Sequence, residues 1–143
     1  FSKTFESRKE NYLEINSLTF EEMLSTCDII SFHCKPPKNG NPIINLSELK
    51  KMKKNAVIIN TARGNLVNEI DLKVALNESI IRGAALDVYS EEPAKNNVLF
   101  GVKNLILTPH IAASTQEAQL VVAKQIAEQI SHYFKTGKII NSV

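Results

Sequence analysis

Four side chains that could do chemistry each follow a short apolar run in this sequence. They are Arg63 in Asn60-Thr61-Ala62-Arg63-Gly64, Asp87 after Gly83-Ala84-Ala85-Leu86, Glu92 beside Glu91 and before Pro93, and His110 after Thr108-Pro109. A guanidinium offers parallel N–H donors matched to a carboxylate, which lysine does not. The plain alternative for Arg63 is a surface arginine pairing with Glu69. Asp87 comes after small residues that let a flat ring approach, and its carboxylate can accept the N–H of a carboxamide such as that of nicotinamide. Standing alone, it would read as a cap for the following loop. The imidazole of His110 titrates near neutrality and can take a hydroxyl proton as hydride leaves the adjacent carbon, although a lone histidine is more often a hydrogen-bonded structural residue. Either Glu92 or Glu91 could bind the far ring nitrogen and raise the imidazole pKa by favouring its charged form; their plain reading is a solvated acidic loop. Taken together, these groups suggest proton and hydride chemistry on a small anionic substrate.

Such residues converge only if the apolar runs before them are neighbouring strands. Val57-Ile58-Ile59, Ala84-Ala85-Leu86 and Leu105-Ile106-Leu107 are short and separated by helical patterns, which predicts parallel strands of one open, doubly wound α/β sheet. Ligands of such sheets bind beyond the carboxyl ends of the strands. In chain order, Phe1 to Asn11 reads as a loop and Tyr12 to Ile15 as a short strand. Thr19 and Glu22 form a capping box opening a helix from Phe20 to Ser25, and Asp28 to Cys34 reads as a fully buried strand. The proline-rich stretch Lys35 to Pro42 is a loop on the ligand side. A helix from Leu46 to Lys53, capped by Asn45 or Ser47, leads to the strand Ala56 to Asn60. Asn68 then caps a helix to Asn77 with Leu72, Ala75 and Leu76 inward, followed by the strand Gly83 to Val88. Tyr89 to Phe100 is a polar loop long enough to suggest a function. After the strand Asn104 to Leu107, Ser114 and Glu117 form a second capping box. The helix it opens carries Ala118, Val122, Ile126, Ile130 and Phe134 on one face and stops at Gly137.

Composition narrows the class. The 143 residues fit one domain, 43% hydrophobic content supports a packed core, and a net charge of +2 with mixed signs offers no basic stripe for nucleic acid. No apolar run approaches the roughly 20 residues that span a bilayer. A soluble cytoplasmic protein is expected, without nucleic-acid or membrane partners. A strand between Cys27 and Cys34 would hold the sulfurs ~20 Å apart, so both read as reduced thiols. The three histidines form no cluster with them, and no metal site is expected. None of the five glycines forms a Gly-x-Gly pair, so the turn that cradles a dinucleotide pyrophosphate is missing. About five strands and four helices fall short of a complete six-stranded sheet. The expectation is a piece of a larger protein, lacking its first βαβ unit.

Three motifs, in order and at similar spacing, resemble the signatures of the D-isomer-specific 2-hydroxyacid dehydrogenases: Asn60-Thr61-Ala62-Arg63-Gly64, Ala85-Leu86-Asp87-Val88-Tyr89-x-x-Glu92-Pro93 and Thr108-Pro109-His110-Ile111. The likeness runs from about Leu18 onward. Ala112 to Gln119 and Ile126 to Ile130 are most similar to the branch acting on 3-phosphoglycerate, at the entry to serine biosynthesis.

The resemblance implies a Rossmann-like NAD-binding domain and an NAD-dependent dehydrogenase that moves hydride between nicotinamide and a D-2-hydroxy acid. It implies that Arg63 holds the substrate carboxylate, that His110 is the general acid/base, and that Glu92 rather than Glu91 is its partner. Asp87 would bind the carboxamide, and Cys34 with Thr61, Ala62 and Arg63 would line the NAD site. A homodimer is implied for the full-length protein. Residues 1–143 would be the C-terminal part of the dinucleotide-binding domain, with 137–143 starting the return to a missing substrate domain; alone, the segment would be inactive. Lys35-Pro36-Pro37-Lys38 departs from the family's usual Pro-Leu-Thr-Pro, which makes Cys34 the least secure contact. The competing class is an NAD-sensing, non-enzymatic binding protein on the same fold.

Overall fold

Parallel strands need long return connections, and here those connections decide which face of the sheet is covered. The computed structural model describes residues 16–140. The loop expected over Phe1–Asn11, the strand expected over Tyr12–Ile15 and the last three residues of the expected 137–143 return lie outside them. The chain divides into two compact units, Phe1–Pro109 and His110–Val143.

In the first unit, helix α1 (Phe20–Thr26) opens with the expected capping box. The Thr19 hydroxyl accepts from the Glu22 N–H, and the Glu22 carboxylate accepts from the Thr19 N–H at 2.8 Å. Strands β1 (Ile29–Phe32), β2 (Val57–Asn60), β3 (Gly83–Leu86) and β4 (Leu105–Leu107) pair in that order, all parallel. Helices α2 (Leu46–Leu49) and α3 (Glu69–Asn77) lie in the β1–β2 and β2–β3 connections. Strands added in one direction with right-handed crossovers place both helices on the same face of the sheet.

Burial follows from that rule. Ile30, Phe32, Ile58, Asn60, Ala84 and Leu86 share one face and are buried with Leu24 of α1, Leu49 of α2, and Leu72, Ala75 and Leu76 of α3. Each large aliphatic side chain removed from water there contributes about 1.5–3 kcal/mol. On the opposite face Ile29 is 62% exposed and Ile106 68%, while Val57, Ile59 and Ala85 are half-buried. β1 is therefore not the fully buried strand its apolar run suggests. It alternates exposed and buried, since the helices in the first unit's crossovers lie on one face of the sheet.

Most strands are trimmed by a residue or two from the sequence expectation, and α2 ends at Leu49, four residues early. Its start is fixed by Asn45, whose N–H donates to Glu48 at 2.9 Å, and by Asp71 of α3, which accepts the Leu46 N–H at 2.8 Å. α3 matches its expected bounds, with the Asn68 side chain accepting from the N–H groups of Ile70 and Asp71. A 3-10 turn, Gly64–Leu66, was not expected.

The second unit is dominated by α4 (Gln116–Thr136). Its cap is Thr115, whose hydroxyl accepts from the Ala118 N–H at 3.1 Å, one residue past the expected Ser114. Gly137 ends it in a left-handed conformation, φ 66°. Val122, Ile126, Ile130 and Phe134 do form one stripe, but each is half or more exposed.

Candidate active site

The register sets Phe32, Asn60, Leu86 and Leu107 level across the sheet. The residues that follow them, with Thr61, Asp87 and Thr108 at the front, therefore form one rim.

Asn60 is a polar residue facing the apolar core, 1% exposed. A buried amide must find partners, and it does so by folding the chain that follows it. Its Oδ1 accepts the Ala62 N–H at 3.1 Å and its Nδ2 donates to the Arg63 carbonyl at 2.9 Å. The turn carrying Thr61, Ala62 and Arg63 is thus tied to the end of β2. Arg63 is extended (φ −152°, ψ 140°) and its side chain is exposed. Nη1 donates to the Ala62 carbonyl at 2.6 Å, and among the described residues the guanidinium makes no ion pair. Glu69 is engaged elsewhere: its carboxylate accepts the Ser90 N–H at 2.7 Å, the Ser90 hydroxyl at 2.9 Å and the Asn97 amide at 2.8 Å.

Gly64 makes a close approach to the protein itself. A Cβ at Gly64 would lie 1.8 Å from the Tyr89 carbonyl oxygen, so the β2 turn presses directly on the backbone that follows β3.

Beyond β3, Asp87 is 3% exposed and its N–H donates to the Asn60 carbonyl at 2.9 Å. Its carboxylate receives the Thr108 hydroxyl, a link to the loop after the next strand. Tyr89, also buried, donates its phenol to the Thr108 carbonyl at 2.9 Å, while its N–H donates to Glu92 Oε1 at 2.9 Å. Burial pushes the Tyr89 phenol pKa up, and the nearby Asp87, Glu69 and Glu92 carboxylates add to it. Glu91 and Glu92, equivalent in sequence, are thereby distinguished: Glu92 turns back to Tyr89, whereas Glu91 borders a separate cavity of about 690 Å³ beside Asn68, Lys95 and Asn97. That cavity touches none of Arg63, Asp87, Glu92 or His110.

Cys34 lies two residues past β1 and is exposed; Thr61 is exposed and Ala62 half-buried. Arg63, Asp87 and Glu92 all belong to the carboxyl-end loops of the first unit. His110 opens the second unit, exposed and with a left-handed backbone, φ 55°. Asn60, Tyr89, Thr108 and Glu69 build this rim and were not singled out from sequence for that work. A polar residue closing an apolar strand was the available sign for Asn60; nothing in the spacing marked Tyr89.

The chemistry of the rim is compatible with the nicotinamide half of a dinucleotide: the Asp87 carboxylate, at the end of β3, is an acceptor of the kind a carboxamide N–H would need. No Gly-x-Gly turn is present in the sequence for the pyrophosphate.

Residues 2–112 match the model of the D-isomer specific 2-hydroxyacid dehydrogenase, NAD binding domain. A D-3-phosphoglycerate dehydrogenase of Bacillus subtilis is 40% identical over 129 residues, 90% of this chain and 25% of that protein. A glyoxylate reductase of Thermococcus litoralis is 39% identical over 135 residues, 94% of this chain and 41% of the relative. Among solved structures, an acyclic imino acid reductase (Bsp5) in complex with NADPH and D-Arg is similar with a TM-score of 0.78 at 33% identity, covering 93% of this chain and 44% of that one. A glyoxylate reductase from Paecilomyes thermophila has a TM-score of 0.75 at 32% identity, covering 86% and 38%. The chain thus spans between a quarter and about two fifths of the length of these curated relatives.

Proposed function

The chain belongs to the D-isomer specific 2-hydroxyacid dehydrogenase family, with a nicotinamide dinucleotide as its cofactor, and from that membership we propose that it carries the nicotinamide side and half the catalytic groups of an NAD-dependent dehydrogenase acting on a D-2-hydroxy acid. In this reading, it is the C-terminal part of the dinucleotide-binding domain, with residues 137–143 leading back to a substrate domain.

A nicotinamide held by Asp87, Cys34, Thr61 and Ala62 would supply the acceptor for the hydride that leaves C2 of the substrate. The chain's own groups do the rest. The Arg63 guanidinium holds the substrate carboxylate with two parallel donors, and its charge polarises the C2 oxygen. The His110 imidazole accepts the hydroxyl proton as C2 becomes a carbonyl. Glu92 stabilises the imidazolium so formed. Asp87 accepts the carboxamide N–H and so selects which face of the ring is presented, while Cys34, Thr61 and Ala62 line the ring's pocket.

The observation that carries the reading is the Arg63 turn. A buried amide holds its backbone rigidly, yet its cationic head is exposed and makes no ion pair among the described residues, an arrangement suited to meeting an anion from solution. The finer reading is 3-phosphoglycerate as substrate, a homodimer as assembly and the cytoplasm as compartment. Glyoxylate reductases of 38–41% identity support a second substrate, glyoxylate, reduced rather than formed.

The test uses a protein of the relatives' full length. NADH formation from 3-phosphoglycerate, abolished by His110→Ala, is the expected result. NADH oxidation by glyoxylate with no turnover of 3-phosphoglycerate would transfer the assignment to the second substrate, and undiminished turnover by His110→Ala would refute the proposed base.

A further inference from the structure

Three loops carry the groups assigned above, and one residue outside that set touches the scaffold of all three, twice by its main chain and once by its side chain. Tyr89 meets the Arg63 turn through its carbonyl, against which the backbone of Gly64 is pressed. It meets the Glu92 loop through its N–H, which donates to Glu92 Oε1 at 2.9 Å. It meets the third loop through its phenol, which donates to the Thr108 carbonyl at 2.9 Å, two residues before His110. Thr108 is held a second time by its hydroxyl on Asp87. The ring is buried at 7% exposure, so the phenolic hydrogen bond is shielded from competing water.

We propose that Tyr89 is a positioning residue for the reaction, its hydroxyl holding the Thr108 carbonyl and thereby the approach of the chain to His110. The inference rests on the dehydrogenase reading and deepens it. A phenylalanine would fill the same space and make the same backbone contacts, but leave the Thr108 carbonyl unheld. Tyr89 touches no reacting atom; its hydroxyl acts through Thr108. A restraint on the left-handed His110 matters because its conformation is not one a non-glycine residue adopts readily. Proximity effects are steep, since small displacements of a catalytic group cost large factors in rate.

The experiment compares Tyr89→Phe with the unaltered protein at the relatives' full length, using 3-phosphoglycerate and glyoxylate as the probe substrates. The expected result is kcat lower by about tenfold or more, with KM for NAD within about twofold. A kcat within twofold would overturn the inference while leaving the parent reading intact, provided His110→Ala is inactive. A loss in which both KM values rise together and the thermal midpoint falls marks a merely structural role and overturns it too. If His110→Ala still turns over, the dehydrogenase reading fails and the inference with it. Should Tyr89→Phe not fold, Tyr89→Met removes the same hydroxyl and is read by the same criteria.

Discussion

The turn after β2 and the segment after β3 meet at the same rim but are held by opposite means. The β2 turn is fixed by main chain: a buried amide bonds its N–H and carbonyl groups, and a glycine lets it press on its neighbour. Its functional side chain contributes little to that framework. The β3 segment is fixed by side chains: Asp87 and Tyr89 each hold Thr108, Glu92 holds the Tyr89 N–H within the segment, and Glu69 at the start of α3 holds Ser90. The first arrangement separates scaffold from chemistry. The second makes the same residues serve both, so changes there alter shape and reactivity together.

The contrast can be broken most severely at Gly64. Gly64→Ala drives a methyl into the Tyr89 carbonyl, and neither backbone can yield cheaply. Chemical denaturation should show a loss of about 3 kcal/mol or more, and a loss below about 1 kcal/mol would mean the two loops are not in register as described. Asn60→Ala comes next. It strands a buried N–H and a carbonyl, and the same measurement should give a loss of about 2–3 kcal/mol. Glu69→Ala releases Ser90 and Asn97 from a half-buried carboxylate. The expected cost is about 1 kcal/mol, with faster proteolysis within residues 90–97 as the local sign.

Two smaller effects sharpen the comparison. The Tyr89 phenol is raised above its ordinary value by burial and then by the surrounding carboxylates. A group with a raised folded pKa contributes stability that is complete below its unfolded pKa, near 10 for tyrosine, and lost as pH rises through the folded value. Stability should therefore fall in alkaline solution above about pH 10, and the fall should be shallower in Tyr89→Phe. Arg63→Lys should change stability least, by about 0.5 kcal/mol or less, because the turn is held without the guanidinium. In a full-length protein, the same substitution should cut kcat/KM for the acid substrate, since the charge remains but the fork is lost. If it instead unfolds the domain, the separation of scaffold and chemistry at β2 is wrong.

Periodicity and caps made most of the fold readable before any coordinates. Asn68 and the inward trio Leu72, Ala75 and Leu76 needed only local rules, as did the Thr19–Glu22 box. The exposed face of β1 was not readable, because Ile29 looks as apolar as Ile30 and only the one-sided crossovers reveal which of them is covered. The site behaved similarly. Arg63 and Asp87 could be singled out as charged groups at the ends of apolar runs, whereas Glu92 was set apart from Glu91 only by the motif it shares with the family. The contact between Tyr89 and Gly64 could not be read, since it is made across loops distant in sequence, and no local pattern encodes a contact of that range.

The exposure of two isoleucines has a calorimetric consequence for a chain of these 143 residues. With Ile29 and Ile106 already meeting solvent, it exposes less new apolar surface when it unfolds. Its unfolding heat capacity increment should therefore fall below the roughly 12–15 cal/mol/K per residue of fully enclosed domains, giving a flatter dependence of free energy on temperature.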